Sequence, residues 1–147
     1  MSNEPRWIPR QAVIDLHQEQ IAEHGGLLGI QKESGLDSAL SRPRQIFSYG
    51  GEQGDICSLA AAYAWGISKN HPFVDGNKRM SLICLCVFLG LNGHYLDARE
   101  EEAYRVMMNV ADGTLSEDGL VAWIRENSFK INTAQPNSAA IRAKPQT

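Results

Sequence analysis

The chain lacks an apolar run long enough to cross a bilayer: the longest, Met80 to Leu91, falls short of the roughly 18–20 residues that a spanning helix needs. No basic N-terminal segment leads into an apolar stretch, so nothing reads as a signal peptide and a cytoplasmic protein is expected. An excess of basic charge is missing too. Lys and Arg number 14 against 17 Asp and Glu, a formal charge of -3, which removes nucleic acid and membrane from the default partners. Cysteine is sparse. Cys57 stands alone, while Cys84 and Cys86, two apart on an expected helix, point to different sides, so all three read as reduced core residues. Histidine offers no metal site either, because His17, His24, His71 and His94 include no pair at the short helical spacing of zinc ligands. His17 and His24 read as surface residues of the first helix.

What is present reads as one all-α domain. At 147 residues the chain suits a single core, with residues 1–129 as the domain and 130–147 as a flexible tail in which periodicity disappears. Pro9 precedes a helical pattern with Val13, Leu16 and Ile21 on one stripe, ending at Gly25-Gly26. From Gly29 to Gly35 the glycines break any helix and predict an extended or hairpin-like excursion. A short helix over Leu36 to Ser41 then stops before Pro43. The stretch from Asp55 to Lys69 carries Ala60, Ala61, Ala62, Ala64, Gly66 and Ser68, small residues that let neighbours approach closely. The stretch from Asn77 to Asn92 is apolar nearly all round, as a buried helix is. Helices over Ala98 to Asp112 and Ser116 to Asn127 complete a set of about six around a central buried helix.

The start of that buried helix breaks a rule. A helix N-terminus carries about half a positive charge, yet Lys78 and Arg79 occupy the first turn, at roughly 0.3–1 kcal/mol per charge unless an anion neutralises them. Asp75-Gly76 makes a tight turn in front, Asn77 can cap the helix, and the following amides are free to bind an anion. Asp75 repels a phosphate itself but could hold a magnesium ion that bridges to one. His71, on the same loop, can accept a proton near neutral pH and could serve as a general base. Phe73 between them would plug into the core and leave His71 and Asp75 facing outward. On these residues alone, a phosphate-binding enzyme and a plain basic loop both remain open.

The stretch His71-Pro72-Phe73-Val74-Asp75-Gly76-Asn77-Lys78-Arg79 resembles the signature of the Fic/Doc superfamily, His-x-Phe-x-Asp/Glu-Gly/Ala-Asn-x-Arg, at every fixed position. Upstream, Gly25-Gly26-Leu27 and Ser34 to Pro43 resemble the start of death-on-curing (Doc) toxins. The resemblance implies a Fic fold with a small extended or β-hairpin flap, over Gly29 to Gly35, that pairs with a target segment. It implies ATP and Mg2+ as ligands, His71 as the base that deprotonates a target hydroxyl, and Asp75 as the metal ligand. Gly76 and Asn77 would shape the anion hole, with Lys78 and Arg79 as phosphate contacts. Most nucleotide-transferring Fic enzymes have Gly at the Lys78 position and a second Arg three residues beyond Arg79, where this chain has Leu82. Both departures look like the Doc branch, which transfers the γ-phosphate. Protein kinase activity is therefore favoured over AMP transfer, with elongation factor Tu as the implied target and translation arrest as the outcome.

Such toxins are restrained by an internal helix or by a separate antitoxin. The nearest match to the internal motif, Thr114 to Gly119, has Asp118 where Glu is needed and reads as an ordinary helix start, so a separate antitoxin is the expected partner. Lys69 and Asn70, just before the signature, read as a solvated helix end. A P-loop is absent, and a Ser81–His71–Asp75 hydrolase would put its nucleophile on the buried helix. A non-catalytic binding module is the alternative from another class, but a pure binder would need neither His71 nor Asp75.

Overall fold

The computed structural model describes residues 4–50 and 54–131. Six helices, α1 Arg10–His24, α2 Glu33–Tyr49, α3 Ile56–Asn70, α4 Asn77–Leu91, α5 Glu100–Asp112 and α6 Glu117–Asn127, are found among them with two short strands, β1 His94–Leu96 and β2 Ser128–Lys130. The fold is all-α, as expected. The flexible tail expected over 130–147 lies, from residue 132 on, outside the described residues.

Helices α3 and α4 form the centre. The small residues of α3 decide how close α2 can lie: a Cβ on Gly66 would stand 3.1 Å from the Ala39 Cα, so this crossing needs glycine. On α4, Met80 to Cys86, Phe88 and Leu89 are all buried, which is why its sequence shows no polar face. Burial pushes the Cys84 thiol up to about 12, with Cys86 adding to the shift, and burial does the same to Cys86. Both cysteines are inert packing groups.

Three local expectations are corrected. The helix expected to stop before Pro43 begins at Glu33 and runs through the proline to Tyr49. Proline removes one helical hydrogen bond, but Leu36, Ala39 and Pro43 share the buried stripe of α2, so packing against α3 carries the helix across. The extended excursion is shorter than expected, because Gly35 lies inside α2. Segment 25–32 meets the signature loop through the bridge Ile30↔Phe73. The two-stranded sheet forms elsewhere, with β1 antiparallel to β2 and Tyr95 opposite Phe129. Lys69 is no solvated helix end: its ammonium donates to the Val110 carbonyl at 2.7 Å, closing the C-terminal end of α5, and lies over the Trp65 ring.

Candidate active site

The loop between α3 and α4 is held from three sides. From its own chain, His71 ends α3 in the left-handed region at φ 51, and is the one non-glycine residue with positive φ among the described residues. Histidine is tolerated there better than a branched residue, yet the conformation is strained. Pro72 follows at once and forbids the helix to continue. Phe73, fully buried, anchors the loop as expected.

From segment 25–32 the hold is made by backbone. The Gln31 and Lys32 amides donate to the Pro72 carbonyl at 2.8 and 3.1 Å, and the Val74 amide donates to the Gly29 carbonyl at 3.0 Å. The Leu27 amide donates to Asp75 Oδ2 at 2.8 Å, which fixes the carboxylate by one of its oxygens.

The third hold comes from α1 and overturns an expectation. His17 is not a surface residue; only 3% of it is exposed. Its ring stacks on Phe73 with centroids 3.9 Å apart and planes at 12°, and its Nε2 lies 2.8 Å from the Asp75 carbonyl oxygen. The histidine is polar, which argued for solvent, but its partner is a main-chain carbonyl 58 positions away. His24, by contrast, is well exposed at the end of the same helix.

Asn77 also differs from its expected part. The α4 start has Gly76 at the capping position, left-handed at φ 82, with no side-chain hydrogen bond to cap the turn. Asn77 instead turns back: its Oδ1 accepts from the Phe73 amide at 3.0 Å, and its Nδ2 donates to the Phe73 carbonyl at 2.9 Å. Those two bonds fix the orientation of the amide, so Nδ2 is the atom facing His71 Nδ1 at 3.1 Å. Nδ1 must then accept, and the neutral ring carries its proton on Nε2. Gln31 adds to this from segment 25–32, donating to the His71 carbonyl at 3.0 Å with its Nε2 3.3 Å from the same Nδ1.

The structure brings His71, Asp75, Gly76, Asn77, Lys78 and Arg79 to the wall of one open cavity of about 670 Å³. Its far side is built from His24 and Gly25-Gly26 at the end of α1 and from Tyr104 and Met108 on α5. Sequence reasoning named neither these residues nor Gln31 as part of the site. Tyr104 and Met108 are four apart on an ordinary amphipathic helix, and only the packing of α5 against α4 shows that they border the cavity.

An anion fits this wall. The first-turn amides of α4 have no side-chain cap, no acid stands in the turn, and neither Lys78 nor Arg79 takes part in an ion pair among the described residues. Asp75 supplies one carboxylate of the donor type that a hard divalent cation takes, oriented by the Leu27 amide beside the same turn, and no group of three His, Cys, Asp or Glu side chains that could hold a metal is found among the described residues.

A family model described as the Fic/DOC family matches residues 7–89, from the residues before α1 into the last turns of α4. The chain is 31% identical over 88 residues to a protein named "Protein kinase doc" from Escherichia phage P1, with 60% of this chain and 69% of that protein covered. It is 34% identical over 101 residues to one named "Toxin Doc" from Mycolicibacterium smegmatis, with 67% and 77% covered.

Proposed function

Because the chain belongs to the Fic/DOC family, we propose that it transfers the γ-phosphate of ATP to a serine or threonine hydroxyl of another protein, as the toxin of a toxin–antitoxin pair. The observation that carries this reading is the uncapped start of α4, where two cations and free amides meet His71 and Asp75 across one cavity. The name of the phage relative supports a kinase over an AMP transferase, as does Lys78 in place of glycine. Elongation factor Tu, whose loss of function would arrest translation, is the first target to test on the family resemblance, and an antitoxin is the expected binding partner.

In this mechanism the hydroxyl oxygen of the target attacks the γ-phosphorus, the bond to the β-bridging oxygen breaks, ADP leaves, and the hydroxyl proton passes to His71. Lys78, Arg79, the Gly76 backbone and the first amides of α4 meet the phosphate charge. Asp75 would hold Mg2+, which when bound neutralises phosphate oxygens. The lone pair of neutral His71 is at Nδ1, against Asn77 and Gln31. The ring therefore serves as a base only once it turns from these amides or its proton moves from Nε2 to Nδ1. Gln31 sits on the segment that the resemblance makes the target-binding flap, so target docking and release of the base are adjacent events.

The test is incubation of the protein with elongation factor Tu and with cell extract, using ATP labelled at either the α or the γ phosphate. Label from γ alone, lost in His71→Ala by a factor of roughly 10²–10⁴, is the expected result. Label from α would replace the kinase with AMP transfer. No label from either, with wild type and His71→Ala equally toxic in cells, would leave the binding module.

A further inference from the structure

Of the buried polar side chains that the proposed chemistry does not use, Ser81 donates to the Asn77 carbonyl within its own helix, whereas His17 reaches across from another helix. It lies on the inner stripe of α1 with Val13 and Ile21, where an apolar residue would pack as well. Its ring stack on Phe73 and its bond from Nε2 to the Asp75 carbonyl both reach the signature loop. A carbonyl only accepts, so Nε2 must carry the proton and donate.

The carbonyl it holds belongs to the peptide that joins Asp75 to Gly76. In a trans peptide the C=O and N–H point in opposite directions. A carbonyl drawn inward to a ring on α1 therefore turns the Gly76 N–H away from that ring, on a residue that lines the cavity. Gly76 has no side chain to resist a half-turn of the peptide before it, and at φ 82 it already uses the freedom that glycine has. A reversed peptide would put a carbonyl oxygen, with its negative charge, where an anion is to be met by an N–H.

We propose that His17 is a positioning residue that locks the Asp75–Gly76 peptide with its N–H available to the bound phosphate, acting through the Asp75 carbonyl and not on substrate. This rests on the reading of the site as a phosphate site, but the lock itself is a property of the protein without ligand. His17→Phe keeps a ring on Phe73 and removes the donor. His17→Gln keeps a donor on a flexible chain and gives up the stack.

The experiment is heteronuclear NMR on full-length wild type and both variants, followed by ATP–Mg2+ calorimetry and the labelled-ATP assay. Wild type is expected to show a slowly exchanging His17 Nε2 proton with a correlation to the Asp75 carbonyl carbon. His17→Phe is expected to displace the Gly76 amide resonance, weaken ATP–Mg2+ binding about tenfold and lower kcat about tenfold, with little change in melting temperature. His17→Gln should recover both to within about threefold of wild type. An unmoved Gly76 amide in His17→Phe, or a loss of binding that follows melting temperature across the two variants, would overturn the lock. Should His17→Phe not fold, absence of the protected proton in wild type, or an unmoved Gly76 amide in His17→Leu, which also removes the donor, overturns it equally. Failure of wild type to take label from ATP would sink the kinase reading, while the proton and the amide shift still decide the lock.

Discussion

Helices α3 and α6 begin in one manner and α4 in another. Asp55 caps α3 by accepting from the Ser58 amide, and Ser116 caps α6 by accepting from the Gly119 amide, with Glu117 and Asp118 in the first turn to answer the dipole. Helix α5 likewise opens on Glu100, Glu101 and Glu102. Helix α1 does open on a cation, but Arg10 is paired with Glu33 and Asp37. Among the described residues, only at α4 do two cations meet free amides with no capping side chain and no acid in the turn. Helices α1, α2 and α5 also lack a capping side chain, but α2 and α5 carry acids in the first turn and the cation of α1 is paired. The α4 start thus leaves its cations and first amides unanswered by any side-chain cap or acid of its own turn, which is what the proposed phosphate site requires and does not depend on any relative.

The sharpest way to break that contrast is to remove both cations. Lys78→Ala with Arg79→Ala should lower phosphate transfer roughly a hundred- to a thousandfold, the loss seen when donors to a developing charge are removed. Stability should not fall with it. In the ligand-free protein each cation opposes the dipole by about 0.3–1 kcal/mol, so the melting midpoint should stay or rise. Thermal unfolding beside the labelled-ATP assay reads both. A double variant that unfolds would make the cations part of the scaffold, and the contrast with α3 and α6 would be lost.

How much of this was legible follows from where each residue finds its partner. The residues His71, Asp75, Gly76, Lys78 and Arg79 could be grouped because they are adjacent in the chain and violate a local rule together; the structure sets them on one cavity wall. Phe73 was readable as an anchor for the same reason. The residues that brace the loop were not. His17 answers a main-chain carbonyl from another helix, and no side-chain pattern records a carbonyl. Asn77 serves equally well as a cap or a backward brace, and the choice depends on Phe73 being pinned first. Pro43 obeys the packing of α2 on α3 over its own local preference. The strands β1 and β2, three residues each, are too short to show a period of two.

The conventional starts give smaller effects. Arg42 grips Glu117 at the start of α6 by two bonds of 2.7 Å in a partly buried setting. Glu117→Gln should cost about 1–2 kcal/mol of stability and leave transfer unchanged, since the pair is remote from the cavity. A change in transfer would show that α6 and α4 are not separate problems.

Asp55→Ala at α3 is the mildest and the most informative in pH. Losing the cap should cost about 0.5–2 kcal/mol near neutrality. Burial would raise the Asp55 carboxyl, but the Ser58 amide, Arg125 and the Ser58 hydroxyl together hold it below its ordinary value of 3.8. A carboxyl whose folded pKa is depressed adds stability at pH values above its unfolded pKa, and loses that contribution as pH falls through the folded pKa. The gap between wild type and Asp55→Ala should therefore be constant from about pH 5 to 8 and close below about pH 4. Denaturant unfolding across that range measures it. A capped start is thus expected to lose stability in acid, and the α4 start, on the proposed reading, to gain it from a bound anion.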